Sequence, residues 1–453
     1  MRISNKNKRL LKGGSIMKRK LLAVLLSCSV VLGMAACGSS TNSDTDAGSE
    51  SETKTTESSD GEIRLFNSKV EIGPQLEKVA EQYSEETGQK VTVETLGGGA
   101  DATGQLKSYY AAGNMPDIFV FGGGDYTANF KGMVADLSDC EFVKDTDFAL
   151  MDGNQVVGFP YTIEGYGISY NADILEQAGV DPDTLTNYQA FEKAFEKIDS
   201  MKDELGLTAV CSVAAESGQM SWSTGGHLFG YYLSGGLERD DNTYFDELME
   251  GKIDEERLTQ FGKFFGLLCK YSDQQTLISG TYDDQMALWA TGKAAFITQG
   301  NWIDPSLEQY DATFDCGIVP LAFTEEDMTS VCADAPSYWG VYKDSDKVQE
   351  CKDFLDWLAT TDEGQKGLVE ECGMLSPYKS TTVSPSTPLS KSLKAYIDEG
   401  KTSSWTWADM PNGMSDNILG PIFESYAKGD IDNAGFVKMI SSQVADFMSK
   451  NEK

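Results

Sequence analysis

Histidine is nearly absent, since the 453-residue chain holds one, His227. A Ser-His-Asp or Cys-His relay would have to use it, and it lies in the glycine-rich, aromatic stretch Gly225-Gly226-His227-Leu228-Phe229. A lone histidine in such surroundings reads as structural. No G-x-x-x-x-G-K-S/T loop occurs, which excludes ATP hydrolysis by that route. Gly97-Gly98-Gly99 and Gly122-Gly123-Gly124 lack the spacing of a dinucleotide fingerprint and read as turns or points of close backbone approach. Basic charge is also scarce, with 37 Lys and Arg against 71 Asp and Glu and a net charge of -34. Nucleic acid and acidic lipid surfaces both need a cationic face, so neither is a partner. The nine cysteines show no C-x-x-C pairing, which argues against a zinc site or a disulfide scaffold.

What is present begins with an export signal. Lys18, Arg19 and Lys20 precede an apolar run from Leu21 to Leu32, too short for the ~20 residues that span a bilayer. The run closes on Met34-Ala35-Ala36-Cys37, small residues followed by a cysteine, as in a bacterial lipobox. Residues 1–36 are therefore read as a signal peptide, with Met17 as the true start and Cys37 as the lipidated residue. Removing that segment takes away 8 basic residues and no acidic one, so the mature chain carries 29 against 71, or -42. Such acidity suits a soluble body beside a polyanionic wall, although a cationic ligand would also use it. Residues 37–61 are dominated by Ser, Thr, Asp, Glu and Gly with no large apolar residue, which makes them a flexible tether. Cys140, Cys211, Cys269, Cys316, Cys332, Cys351 and Cys372 remain, an odd number best read as free buried thiols.

From Glu62 the pattern is α/β. Ile63 and Leu65 form a strand, Leu76, Val79, Ala80 and Tyr83 recur at helical spacing before Gly88, and Val91 and Val93 alternate as a second strand. Ile118-Phe119-Val120-Phe121 is a short buried strand, and the alternation implies a mostly parallel sheet under helices. Thr186 and Gln189 suggest a capping box ahead of Phe191, Ala194, Phe195 and Ile198, while Val348, Cys351, Leu355 and Leu358 form another helical stripe. Trp289 and Trp357 lie in such apolar patterns and read as core.

Five stretches resemble the extracytoplasmic sugar-binding proteins of ATP-binding-cassette importers, the family of the maltose-binding protein. They are LEKVAEQYSEETGQKVTV from Leu76, AAGNMPDIFVFGGGDY from Ala111 with GMVADLSD from Gly132, and GFPYTIEGYGISYNADILEQAGV from Gly158. GKAAFITQGNW from Gly292 with DCGIVPL from Asp315, and APSYWGVYKDSDKVQECKDFLDWLATTDEGQ from Ala335, complete the set. The resemblance implies a type II periplasmic-binding-protein fold, two α/β lobes with a ligand cleft between them. It places the first lobe at 62–164 plus 320–367 and the second at 165–319 plus 368–453. It also implies a monomer without cofactor, metal or catalytic residue, lipid-anchored on the outer face of a Gram-positive type of cell membrane. That receptor captures a carbohydrate, an oligosaccharide by preference, and delivers it to an importer permease and through it an ATPase.

A neutral sugar offers hydroxyls to carboxylates and flat C–H faces to aromatic rings. Trp302 in Gln299-Gly300-Asn301-Trp302 and Trp339 beside Gly340 match ring-bearing loops of the family, and Trp222, Trp405 and Trp407 match second-lobe aromatics of its cleft. Glu164 and Asp125 match its hydroxyl-binding carboxylates, with Tyr161 beside Glu164. For Trp222, Trp302 and Trp339, polar, glycine-rich surroundings bring a ligand role level with a core one, since core tryptophans usually sit in apolar runs. Gly122-Gly123-Gly124 stands where the family carries bulkier residues. Two other functions remain open: a receptor of the same fold for a cationic ligand such as a polyamine or peptide, and a surface glycosidase using two carboxylates ~5–10 Å apart.

Overall fold

The computed structural model describes residues 61–96, 101–239 and 241–451. The signal peptide, Cys37, the tether as far as Asp60, and Gly97-Gly98-Gly99 lie outside the described residues.

The first sheet is built from β1 (Ile63–Asn67), β2 (Val91–Thr95), β3 (Ile118–Gly122), β4 (Leu150–Asp152) and β5 (Gln155–Pro160). Strands β6 (Glu164–Tyr166), β7 (Ile168–Asn171), β8 (Ala209–Ser212), β9 (Ala294–Ile297) and β10 (Cys316–Val319) follow. The last are β11 (Val331–Asp334), β12 (Ser337–Val341) and β13 (Thr402–Ser403). The chain returns to the first sheet with β12, giving the order β2-β1-β3-β12-β5-β4. β2, β1 and β3 pair in parallel, whereas the β3–β12, β12–β5 and β5–β4 pairings are antiparallel, so the sheet is mixed rather than mostly parallel. The second sheet has the order β10-β7-β9-β8, and a small third sheet joins β13, β11 and β6.

Each sheet has its own core. Leu76, Val79, Ala80 and Tyr83 project from the helix Gly73–Thr87 onto the first sheet, and that helix stops at Gly88 with φ 80°. The helix Tyr188–Ser200 buries Phe191, Ala194, Phe195 and Ile198 against the second. Each large side chain so buried contributes ~1.5–3 kcal/mol. The cap of that helix is Asn187, whose Oδ1 accepts from the Ala190 amide; Thr186 instead donates to Asp327. The expected Thr186–Gln189 capping box is therefore not formed, because the chain enters the helix one residue later.

The chain passes between the two cores near Thr162, again between Ala333 and Trp339, and again beyond Tyr378. The second crossing falls later than the expected 320. Leu321, Ala322, Phe323, Met328 and Val331 follow β10 directly and cover the second core. The third also falls later than the expected 367, since Leu368, Cys372, Met374 and Tyr378 pack in the first core. Gly367 permits this packing, as a Cβ there would stand 2.9 Å from Val79 Cγ1 of the Gly73–Thr87 helix. All seven cysteines of the described residues are free, five of them buried.

Candidate ligand-binding cleft

β1 ends on Asn67, which is fully buried. Its Nδ2 donates to the Lys69 carbonyl (2.8 Å) and its Oδ1 accepts the Lys69 amide (3.0 Å), so the turn after the strand is pinned. That turn aims Lys69 at Glu164, the first residue of β6, and the ammonium donates to Glu164 Oε1. Burial alone would lower the Lys69 pKa, but the carboxylates of Glu164 and Glu71 outweigh it and raise it. Glu71 is itself raised by burial, in spite of Lys69. The pair joins the two lobes at the bottom of the cleft.

A cavity of about 370 Å³ opens above it, with walls from both lobes. The first lobe supplies Thr103, Phe121, Asp125 and Ser337, and the second supplies Glu164, His227, Trp405, Trp407, Met410 and Asp416. Asp125 follows β3 and accepts from Thr103 Oγ1 (3.3 Å) and Asn129 Nδ2 (3.2 Å). Burial raises its pKa, the two hydrogen bonds opposing. The preceding glycines let the lobes meet: a Cβ on Gly124 would stand 2.6 Å from the Ala408 carbonyl oxygen, and one on Gly123 would stand 3.0 Å from Asp409 Oδ1. A second cavity of about 640 Å³ shares Ser68, Ala102 and Asp416 with the first and continues it past Trp222, Tyr282, Glu71 and Asp283. The two form one groove.

Its second-lobe wall is aromatic. His227 stands among five rings, stacked on Trp302 (4.6 Å between centroids) with Tyr166 and Trp407 (each 4.8 Å), Trp405 (5.1 Å) and Trp222 (5.3 Å) edge-on. The segment Trp222–Leu228 carries it in a wide π-type turn, a geometry that often marks functional positions. A Cβ on Gly226 would stand 3.0 Å from the Trp407 ring and one on Gly230 2.8 Å from Cδ1 of the same indole, so glycine is what lets Trp407 lie this close. Burial, with the Lys69 charge second, pushes the His227 pKa down to about 3, so the imidazole is neutral.

Of the residues expected from sequence, Glu164, Asp125, Trp405 and Trp407 line the first cavity and Trp222 lines the second. Trp302 lies behind His227 with its Nε1 donating to Gln299 Oε1 (2.9 Å), buttressing the cage rather than lining either cavity. Trp339 departs from expectation. It is fully buried in the first core, stacked between Phe159 (6.0 Å) and Tyr161 (4.4 Å), because β12 is a central strand whose faces are both covered. Tyr161 is likewise fully buried and forms backing for the Lys69–Glu164 pair. Trp289 is fully buried in the second core, and Trp357 packs at the edge of the first against Tyr83 (5.3 Å). Sequence reasoning missed His227, Tyr282 and Asp416. The glycines flanking His227 were the one available signal, since they announced close packing against a flat partner.

Two α/β lobes with a groove that both of them wall form the architecture of a solute-binding protein. The chain belongs to the bacterial extracellular solute-binding proteins, whose family profile matches residues 78–412. Its fold is the two-lobed type II arrangement of solved binding proteins. The MsmE binding protein of Bacillus subtilis, in an open conformation, superposes with a TM-score of 0.68 at 18% identity, covering 86% of this chain and 98% of that one. A sugar transporter protein of Bacillus licheniformis in complex with stachyose gives 0.68 at 18%, covering 85% and 99%. A substrate-binding protein of Listeria monocytogenes in complex with cycloalternan gives 0.63 at 18%, covering 86% and 99%. No curated protein sequence matches. Among the described residues no helix is long and apolar enough to cross a membrane.

Proposed function

We propose that this chain is a receptor that captures an oligosaccharide between its lobes, without turning it over, and delivers it to the permease of an ATP-driven importer. The observation that carries this reading is the lining of one groove by Trp405 and Trp407 on one side and by Asp125 and Glu164 as hydroxyl acceptors. Indole faces stack on the C–H faces of pyranose rings, and carboxylates accept from their hydroxyls. The joined second cavity, with Trp222 and Tyr282, extends the groove beyond a single sugar ring. The stachyose and cycloalternan complexes of proteins with this fold support the same class of ligand. A lipid on Cys37 and the polar segment after it would hold the receptor at the outer face of the membrane, within reach of the permease. The test is to load the protein from an oligosaccharide mixture, then release and weigh the bound fraction. Intact sugar is expected; shortened products would make it a hydrolase.

A second reading rests on Asp101, Asp125, Asp283 and Asp416, which line the groove with no salt bridge from a cation of the described residues. A polyamine or basic peptide would neutralise them. Such binding would weaken steeply with salt, whereas sugar binding would not.

A further inference from the structure

We infer that His227 is a ligand-binding residue of the cleft, its neutral imidazole hydrogen-bonding to hydroxyl groups of the bound sugar from the centre of the aromatic cage. The inference rests on the carbohydrate reading of the same groove and names a residue for it.

His227 lines the first cavity although it is only 7% exposed. A neutral imidazole carries one N–H donor and one lone-pair acceptor. Neither is used within the protein: His227 makes no side-chain hydrogen bond among the described residues, and its Nδ1 is buried without a partner. Buried polar groups are almost always paired, and an unpaired one is destabilising. A histidine kept for packing alone would be tied to a carbonyl or a hydroxyl, whereas this one stands among aromatic rings and none of their polar groups bonds it. The Nε1 groups of Trp405 and Trp407, on the rings that share the cavity, are also without partners. Three ring systems on one wall therefore hold unused hydrogen-bonding capacity.

The complement is specific. Asp125 and Glu164 can only accept, and they take the hydroxyl hydrogens of a ligand. The imidazole and indole N–H groups can donate, and they take hydroxyl oxygens. A guest satisfying both sets of groups donates and accepts at once on a flat apolar body, which describes a sugar ring and not a cation or an anion.

Because His227 is the only histidine of the chain, protein grown with ring-15N histidine and purified without a histidine tag gives one imidazole signal pair that needs no assignment. Raffinose, stachyose and chitotriose are tested by calorimetry, and the tightest binder is titrated into the labelled protein. The ring-nitrogen resonances are expected to move with saturation. His227→Phe keeps a flat ring in the cage and removes both polar valences. Its affinity is expected to fall tenfold or more while its melting temperature holds or rises, since an unpaired buried group is gone. Unchanged affinity in the variant with static ring resonances in the wild type would overturn the role of His227 and leave the sugar reading intact. Binding of none of the sugars by the wild type would overturn that reading and this inference with it. Should the variant not fold, the wild-type resonances decide: movement supports the role, and none refutes it.

Discussion

Lys69 of the first lobe donates to Glu164 of β6, and this ion pair ties the lobes together at the bottom of the groove. Both side chains are mostly buried, at 15% and 10% exposure. Removing one partner of such a pair strands the other charge, at a cost of ~3 kcal/mol or more. Lys69→Met is expected to lower the unfolding free energy by about that amount and to weaken ligand binding, because Glu164 and Glu71 then repel each other without the shared cation. Denaturant melts of both proteins check the first effect and calorimetry the second.

The two kinds of tryptophan should separate cleanly. Trp407 is half-buried on the cavity wall, so Trp407→Ala should cost binding, tenfold or more, with a modest change in melting temperature. Trp339 is fully buried in the first core, so Trp339→Ala should cost ~3–5 kcal/mol of stability. Thermal melts alongside sugar titrations distinguish the two.

That contrast also shows what the sequence reveals. The strand Ile118–Gly122 follows from an unbroken apolar run, and the helix Tyr188–Ser200 from periodicity, because one face of that helix is apolar throughout. That Asp125 and Glu164 border the groove was legible, because one lies in the turn after β3 and the other opens β6, where side chains reach a cleft. Trp339 was not, since its polar and glycine neighbours look the same on a cleft loop as on a central strand. What decides is the pairing of β12 with both β3 and β5, a long-range fact. His227 was hidden for the opposite reason: its cage is assembled from Tyr166, Trp302, Trp405 and Trp407, which are far apart in sequence.

Gly124 should be intolerant of even a methyl group. Its Cβ would stand 2.6 Å from a backbone oxygen of the opposing wall, which has no flexible end to move. Gly124→Ala is expected to hold the cleft more open and to weaken binding with little loss of fold. A larger radius of gyration by solution scattering at saturating ligand, relative to the wild type, checks this.

The acid response should carry the signature of His227. Its pKa is about 3 in the folded chain against a usual 6.5, so between these values the unfolded chain binds a proton that the folded one does not. Stability from this group is complete above pH 6.5 and is lost as pH falls toward 3, by up to ~1.4 kcal/mol per pH unit. Asp125, Asp409 and Asp416, raised by burial, act with the opposite sign, so the readout is the difference between proteins. Denaturation of wild type and His227→Phe at pH 7 and pH 4.5 should show the wild type losing more.

The measurement that bears most directly on the whole account is calorimetric titration of the purified chain with raffinose, stachyose, chitotriose and spermidine at low and high salt. Saturable one-to-one binding of at least one oligosaccharide, nearly independent of salt, is the predicted result. Heat from spermidine alone, fading as salt rises, or from none of the four, would contradict it.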